Sequence, residues 1–120
     1  MSQPKPTYKR GDIVLVLYPH SDLRRASRRP AIIVQADDLQ TGLPQVIVAM
    51  ITSNMSRANH PSRVAVVQST AEGEQTGLLT DSVIVTDNVA TVIEPAIHSK
   101  IGSLPMGNVD AALKHTLGLR

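Results

Sequence analysis

Residues Arg24 to Gln35 read RRASRRPAIIVQ, a dense cationic stretch running directly into an apolar one, and the reading of this junction sets what the rest of the chain is expected to be. Pro30 fixes its own φ and biases Arg29 toward an extended backbone, so a strand is expected over Pro30 to Gln35, with a long loop from His20 to Arg28 before it. Arg24, Arg25, Arg28 and Arg29 fall within six residues. Guanidinium groups stay charged at any working pH and present planar forked donors that match phosphate oxygens, so four of them clamped to a strand form a phosphodiester grip. Taken alone, such a run reads first as a solvated basic loop. Its surroundings decide between the two.

On the amino-terminal side, Arg10-Gly11-Asp12 introduces Ile13-Val14-Leu15-Val16-Leu17, a β-branched run that reads as a strand buried on both faces. On the carboxyl-terminal side, Asp37-Asp38 and Thr41-Gly42 mark a turn, and Val46 to Ile51 is a third apolar strand ending in Thr52-Ser53-Asn54. Further strands are expected at Arg63 to Val67, Ser82 to Val85 and Val89 to Ile93, with a loop from Glu72 to Thr80 and a break at Pro95. The period then changes. Val109, Ala112, Leu113, Thr116 and Leu117 share one face of an amphipathic helix, with Ser103 as its amino cap and Gly118 as its left-handed exit. Five or six short strands and one terminal helix predict a small, strongly curled, mostly antiparallel sheet or partial barrel. Residues 1–9 are expected to be a disordered arm and 10–120 a single domain.

Composition narrows the chemistry. The 120 residues contain no cysteine, which excludes disulfides and thiolate catalysis. The four histidines, at 20, 60, 98 and 115, share no ligand spacing, so no metal site is expected, and Gly73 and Gly77 make no phosphate-cradling motif. The amino end, MSQPKPTYKR, has no apolar signal-peptide core and the apolar runs are only strand-length, so a cytoplasmic protein that enters no membrane is expected. Net charge is +2 with a pI near 9.3, but five of the twelve cationic side chains lie between Arg24 and Arg57. With no Phe, no Trp and two Tyr, there is no stacking platform for bases. Arg29 enters one strand and Thr52 leaves another, so pairing of those strands would bring a guanidinium and a hydroxyl to one rim. A threonine at a strand end also reads as a simple backbone-bonding residue. Met50, Met55 and Met106 are expected to fill the core.

The order of segments, RGDIVLV at 10–16, RRPAIIVQAD at 28–37, VAMITS at 48–53, GLLTDSVIVTDNVATV at 77–92, IGSL at 101–104 and LGL at 117–119, resembles the MazF/PemK toxins of toxin-antitoxin systems. The resemblance implies an SH3-like barrel, a homodimer, and metal-independent, sequence-specific cleavage of single-stranded RNA without any cofactor. It also implies a cognate antitoxin with an acidic, disordered tail, and DNA binding together with that antitoxin. Arg29 matches the family's catalytic arginine and Thr52 its catalytic threonine; Arg24, Arg25, Arg28, His20 and Ser53 complete the expected RNA- and phosphate-binding set. The first loop departs from the pattern: many relatives carry Glu-Gln-Gly where this chain has His20-Ser21-Asp22. Two other readings of the same fold remain at this point, a CcdB-like toxin that binds gyrase without cleaving RNA, and an inactive member that only binds RNA or antitoxin.

Overall fold

A computed structural model describes residues 8–19 and 26–120. Six strands form one antiparallel sheet: β1 (Asp12–Pro19), β2 (Ala26–Ile33), β3 (Gln45–Thr52), β4 (Arg63–Val66), β5 (Ser82–Ile93) and β6 (Ile97–Ser103), in the order β4-β5-β3-β2-β1-β6. Two helices accompany it, α1 (Ala71–Gln75) and α2 (Gly107–Leu117). The sheet is open, with β4 and β6 as its edges.

Both faces of the sheet are buried, which is why its central strands read as continuous apolar runs. On one face Ile13, Ile32, Ala49, Ile51 and Ile84 pack with Val109 of α2. On the other, Val14, Val16, Ala31, Ile33, Val46, Val48 and Val92 pack against each other and Ile97, with Tyr8 at the margin and, among the described residues, no long helix over them. A face without a covering layer is buried only if the sheet curls onto itself, so the strong curl follows from the apolar alternation. Of residues 1–9, residues 1–7 lie outside those described, while Tyr8 is half-buried and the Lys9 N–H donates to Asp12 at 2.8 Å.

Arg10-Gly11-Asp12 ties the sheet to the helix. Arg10 Nε donates to the Val34 carbonyl at 3.0 Å and its Nη2 pairs with Asp110 in the first turn of α2, where a carboxylate also suits the helix dipole. Asp12 is buried and accepts from Lys100 Nζ of β6 at 3.1 Å. Gly11 N–H donates to the Ile33 carbonyl, and its own carbonyl accepts from Leu104 N–H. These three residues hold β1, β2, β6 and α2 in one register.

Several sequence expectations change. Strand β2 begins at Ala26, so Arg28 stands on the strand and not in the loop before it, and Arg29 lies inside the strand and not at its entrance. The expected loop over 72–80 contains α1, capped by Thr70, whose Oγ1 accepts from Gly73 N–H at 3.0 Å. The two strands expected over 82–93 are one, interrupted by a bulge: Ala49 pairs with Val89 but Met50 with Val85, leaving Thr86-Asp87-Asn88 outside the β3 ladder. Strand β6 follows Pro95 where only a break was expected; its alternation is blurred by two register shifts against β1, and Ile97 and Ile101 are its only large apolar residues. Ser103 closes β6 and does not cap α2, which starts at Gly107 without a side-chain cap. Gly118 ends that helix in the left-handed conformation, as expected. Met50 and Met106 pack against the core, but Met55 is exposed.

Candidate active site

The ends of β2 and β3 separate beside Pro30. Ala31 pairs with Met50, Ile32 with Ala49 and Ile33 with Val48, and the ladder stops there, next to the residue that has no N–H to donate. Continuing the register two residues sets Arg29 opposite Thr52, at the point where the strands have opened. The gap is a cleft of about 700 Å³ lined by the polar side chains of Arg28, Arg29, Thr52 and Ser53 and by the apolar ones of Leu15, Ile51, Leu78, Leu79 and Ile101. That volume lies in the range of small-molecule sites and is too large for a phosphate group alone.

Arg28 and Arg29 are exposed, and among the described residues neither guanidinium has a hydrogen-bond or ion-pair partner. Their five-donor forks are therefore available to an anion. Thr52 is half-buried, and its Oγ1 accepts from Asn54 N–H at 3.1 Å. That bond realises the backbone-bonding role a strand-end threonine can play, and it also fixes the hydroxyl: one lone pair is occupied and the O–H remains to donate. Asn54 is held in turn by capping the 3-10 turn Met55–Arg57, accepting from Ser56 N–H at 3.1 Å.

The far wall is built by backbone contact. Gly77 has φ +71°, and a Cβ there would lie 2.1 Å from the Ile101 carbonyl oxygen; a Cβ on Gly102 would meet the Gln75 carbonyl oxygen at 2.2 Å. The segment leaving α1 thus lies directly on β6 with no room for a side chain between. Thr76 is buried, donates to the Gly73 carbonyl at 2.6 Å and accepts from Leu78 N–H at 3.1 Å. On the other side of the wall Asp81 accepts from Gln68 N–H at 2.8 Å and Ser82 Oγ donates to the Thr80 carbonyl at 2.9 Å, which gives Asp81 and Ser82 structural roles.

Of the expected site residues, the structure brings Arg28, Arg29, Thr52 and Ser53 to one cleft. His20, Arg24 and Arg25 lie outside the described residues. Sequence reading missed the apolar wall; the only signal for it was the Gly77-Leu78-Leu79 stretch, which a periodicity argument treats as loop. Outside the cleft, Arg63 donates to Asp87 from Nε at 3.2 Å and from Nη2 at 2.8 Å, and these bonds hold the Asp87 carboxyl below the ordinary carboxylate range and raise Arg63. Among the described residues no three His, Asp or Glu side chains gather as metal ligands, and no helix is long and apolar enough to cross a membrane.

Solved structures of the same fold cover nearly the whole chain. An endoribonuclease from a mycobacterial species superposes with a TM-score of 0.69 at 23% identity, covering 95% of this chain and 94% of that one. The Mycobacterium tuberculosis toxin MazF-mt6 gives 0.69 at 22%, covering 91% and 98%. A MazE–MazF structure from Deinococcus radiodurans gives 0.72 at 14%, covering 96% and 100%. The model of the PemK-like, MazF-like toxins of type II toxin-antitoxin systems matches residues 9–117. With that match running across both the cleft and the helix behind it, the chain belongs to the PemK-like, MazF-like family of type II toxins.

Proposed function

We propose that this toxin is a metal-independent, sequence-specific endoribonuclease that cleaves single-stranded RNA at the Arg29–Thr52 end of the cleft. The observation that carries the reading is the convergence of an unpaired guanidinium and an oriented threonine hydroxyl where β2 and β3 part. Neither group is a base at neutral pH, since an arginine stays protonated and an alcohol does not ionise. Their contribution is to hold the phosphodiester and to stabilise the charge that develops on it. The nucleophile is the RNA's own 2′-hydroxyl. Its oxygen bonds to the adjacent phosphorus as the bond to the 5′-oxygen breaks, leaving a 2′,3′-cyclic phosphate and a 5′-hydroxyl, while the 2′-proton passes to solvent water and the departing 5′-oxygen takes one from water. Arg29 spans non-bridging oxygens with its fork and assists proton transfer, and Thr52 donates to a phosphate oxygen. Arg28 and Ser53, with Arg24, Arg25 and His20 of the adjoining segment, hold neighbouring phosphates.

The same rim suits the antitoxin. Among the structural relatives is an endoribonuclease in complex with its cognate antitoxin, matching at a TM-score of 0.69. In this chain an antitoxin with an acidic, initially disordered tail would fold over the Arg24 to Arg29 segment of a toxin homodimer in the cytoplasm, with salt-sensitive association. The direct test is cleavage of a mixed single-stranded RNA with the cut ends mapped. Cutting that persists in excess chelator, leaves cyclic-phosphate ends and stops when the nucleotide 5′ to the cut is made 2′-deoxy is expected. Cutting of the deoxy substrate at an undiminished rate would rule out the 2′-hydroxyl mechanism.

A further inference from the structure

Leu79 is 96% exposed at the mouth of the cleft, between segments that are both fixed. Leu78 before it is buried in the core, and Gly77 is pressed onto the Ile101 carbonyl. After it, the Thr80 carbonyl and the Asp81 carboxylate are each held by a hydrogen bond. A solitary exposed leucine on a surface needs no explanation, but one presented by a stapled turn at a cleft that two exposed arginines also line is different. Its side chain cannot reach back into the core, and its backbone loses little freedom when something docks on it.

We propose that Leu79 is the base-contacting residue of the cleft, forming with Leu15 and Ile101 an aliphatic shelf for the nucleobase adjoining the phosphate that Arg29 holds. This rests on the ribonuclease reading above and goes beyond it by assigning the apolar part of the lining. The occupant follows from continuity: a phosphate seated at Arg29 and Thr52 carries a nucleoside on each ester oxygen, and the cleft in which it sits is lined by both polar and apolar side chains. Among the described residues no aromatic side chain lines the cleft, so the flat, weakly hydrated face of a base finds only guanidinium planes and aliphatic carbon there, and the guanidiniums are taken by phosphate in this reading. Such a contact reads the presence and area of the base, not its hydrogen-bonding pattern. It therefore strengthens binding across sequences, leaving sequence selection to polar groups.

The test uses an oligoribonucleotide that the wild-type protein cleaves, its non-cleavable 2′-deoxy form, and two versions of that form abasic on either side of the cut. Leu79→Ser is expected to weaken binding of the intact oligonucleotide by about tenfold, given the apolar area one leucine side chain buries. Leu79→Met is expected to bind as wild type does. On one of the two abasic oligonucleotides Leu79→Ser and wild type should bind equally, because the partner has been removed. Leu43→Ser, an exposed leucine outside the cleft, should change nothing. Binding by Leu79→Ser equal to wild type on the intact oligonucleotide, or an equal loss on all three, overturns the inference while leaving the ribonuclease reading intact. A change in sedimentation behaviour would move Leu79 to an interface between copies and also overturn it. A wild-type protein that neither binds nor cuts RNA would remove the ribonuclease reading and the inference together.

Discussion

Gly77→Ala tests how firmly the wall of the cleft is fixed to the sheet. Two costs are expected. The backbone at φ +71° lies in the left-handed region, where a side chain costs about 1–2 kcal/mol, offset in part by the ~0.4–1 kcal/mol that the loss of glycine's unfolded-state freedom contributes. The second cost is steric: a Cβ would be 2.1 Å from the Ile101 carbonyl oxygen and 2.8 Å from its carbon, so β6 or the turn must shift by about 1 Å, and overpacking of this kind typically costs ~1–3 kcal/mol. Gly42 separates the two, since it has φ +76° and a Cβ placed there would have nothing within 4 Å. Gly42→Ala should therefore show only the conformational cost, about 0.5–1 kcal/mol, whereas Gly77→Ala should lose about 3 kcal/mol. At roughly 4 °C per kcal/mol for a domain of this size, thermal melts should fall by about 2–4 °C and about 12 °C respectively. Because the turn carries Leu78 and Leu79, Gly77→Ala should also weaken RNA binding at temperatures where it stays folded. Equal melting temperatures for the two variants would show that the turn is not clamped on β6, and the rigid wall would have to be abandoned.

Two further predictions concern the bulge in β5. Thr86 is buried, donates to the Ser62 carbonyl at 2.6 Å and so must accept from Thr116 of α2 at 2.7 Å; Thr86→Val keeps the shape and removes both hydroxyl bonds, but the Ser62 carbonyl still accepts from Thr86 N–H at 3.0 Å and Thr116 is half-buried, so the loss in urea unfolding should be about 0.5–1.5 kcal/mol, with Thr116→Val adding little on top. For Asp87, whose carboxyl is held low chiefly by the hydrogen bond from Arg63, the stabilisation is present above the unfolded carboxyl value of about 3.9 and is lost as pH falls through the lower folded value, so Asp87→Asn should be less stable than wild type at pH 7 and indistinguishable from it near pH 2 in paired melts.

The parts of the fold that can be read from sequence are those governed by local pattern. Ile13 to Val16 and Val46 to Ile51 are apolar on both faces because the sheet buries both, although Leu17 at the end of the first run is exposed, and the 3.6-residue period of Val109, Ala112 and Leu113 marks the helix that covers one of them. What escapes is non-local. Strand β6 has the composition of a polar segment and becomes a strand only because β1 offers an edge and Asp12 waits for Lys100. The bulge at Thr86-Asp87-Asn88 is set by partners at Ser62, Arg63 and Thr116, none of them near in sequence. In the site, Thr52 is legible as a strand exit, whereas Arg29 reads as a strand entrance and stands inside β2, and the register sets the two opposite each other. Leu79 is not legible, because its meaning depends on a backbone-to-backbone contact between Gly77 and Ile101 that no pattern of side chains announces.

The central claim, that Arg29 acts through its planar fork and not through charge alone, is tested most directly by single-turnover RNA cleavage by Arg29→Lys measured beside its thermal melt. Lysine keeps the charge but is a compact point donor that cannot span two phosphate oxygens. Losing one preorganised donor to developing oxyanion charge typically costs about 3–4 kcal/mol, so a rate lower by roughly a hundred- to a thousandfold is predicted. The melt should be unchanged, because Arg29 is exposed and has no partner among the described residues. Near wild-type cleavage by a folded Arg29→Lys protein would contradict the account.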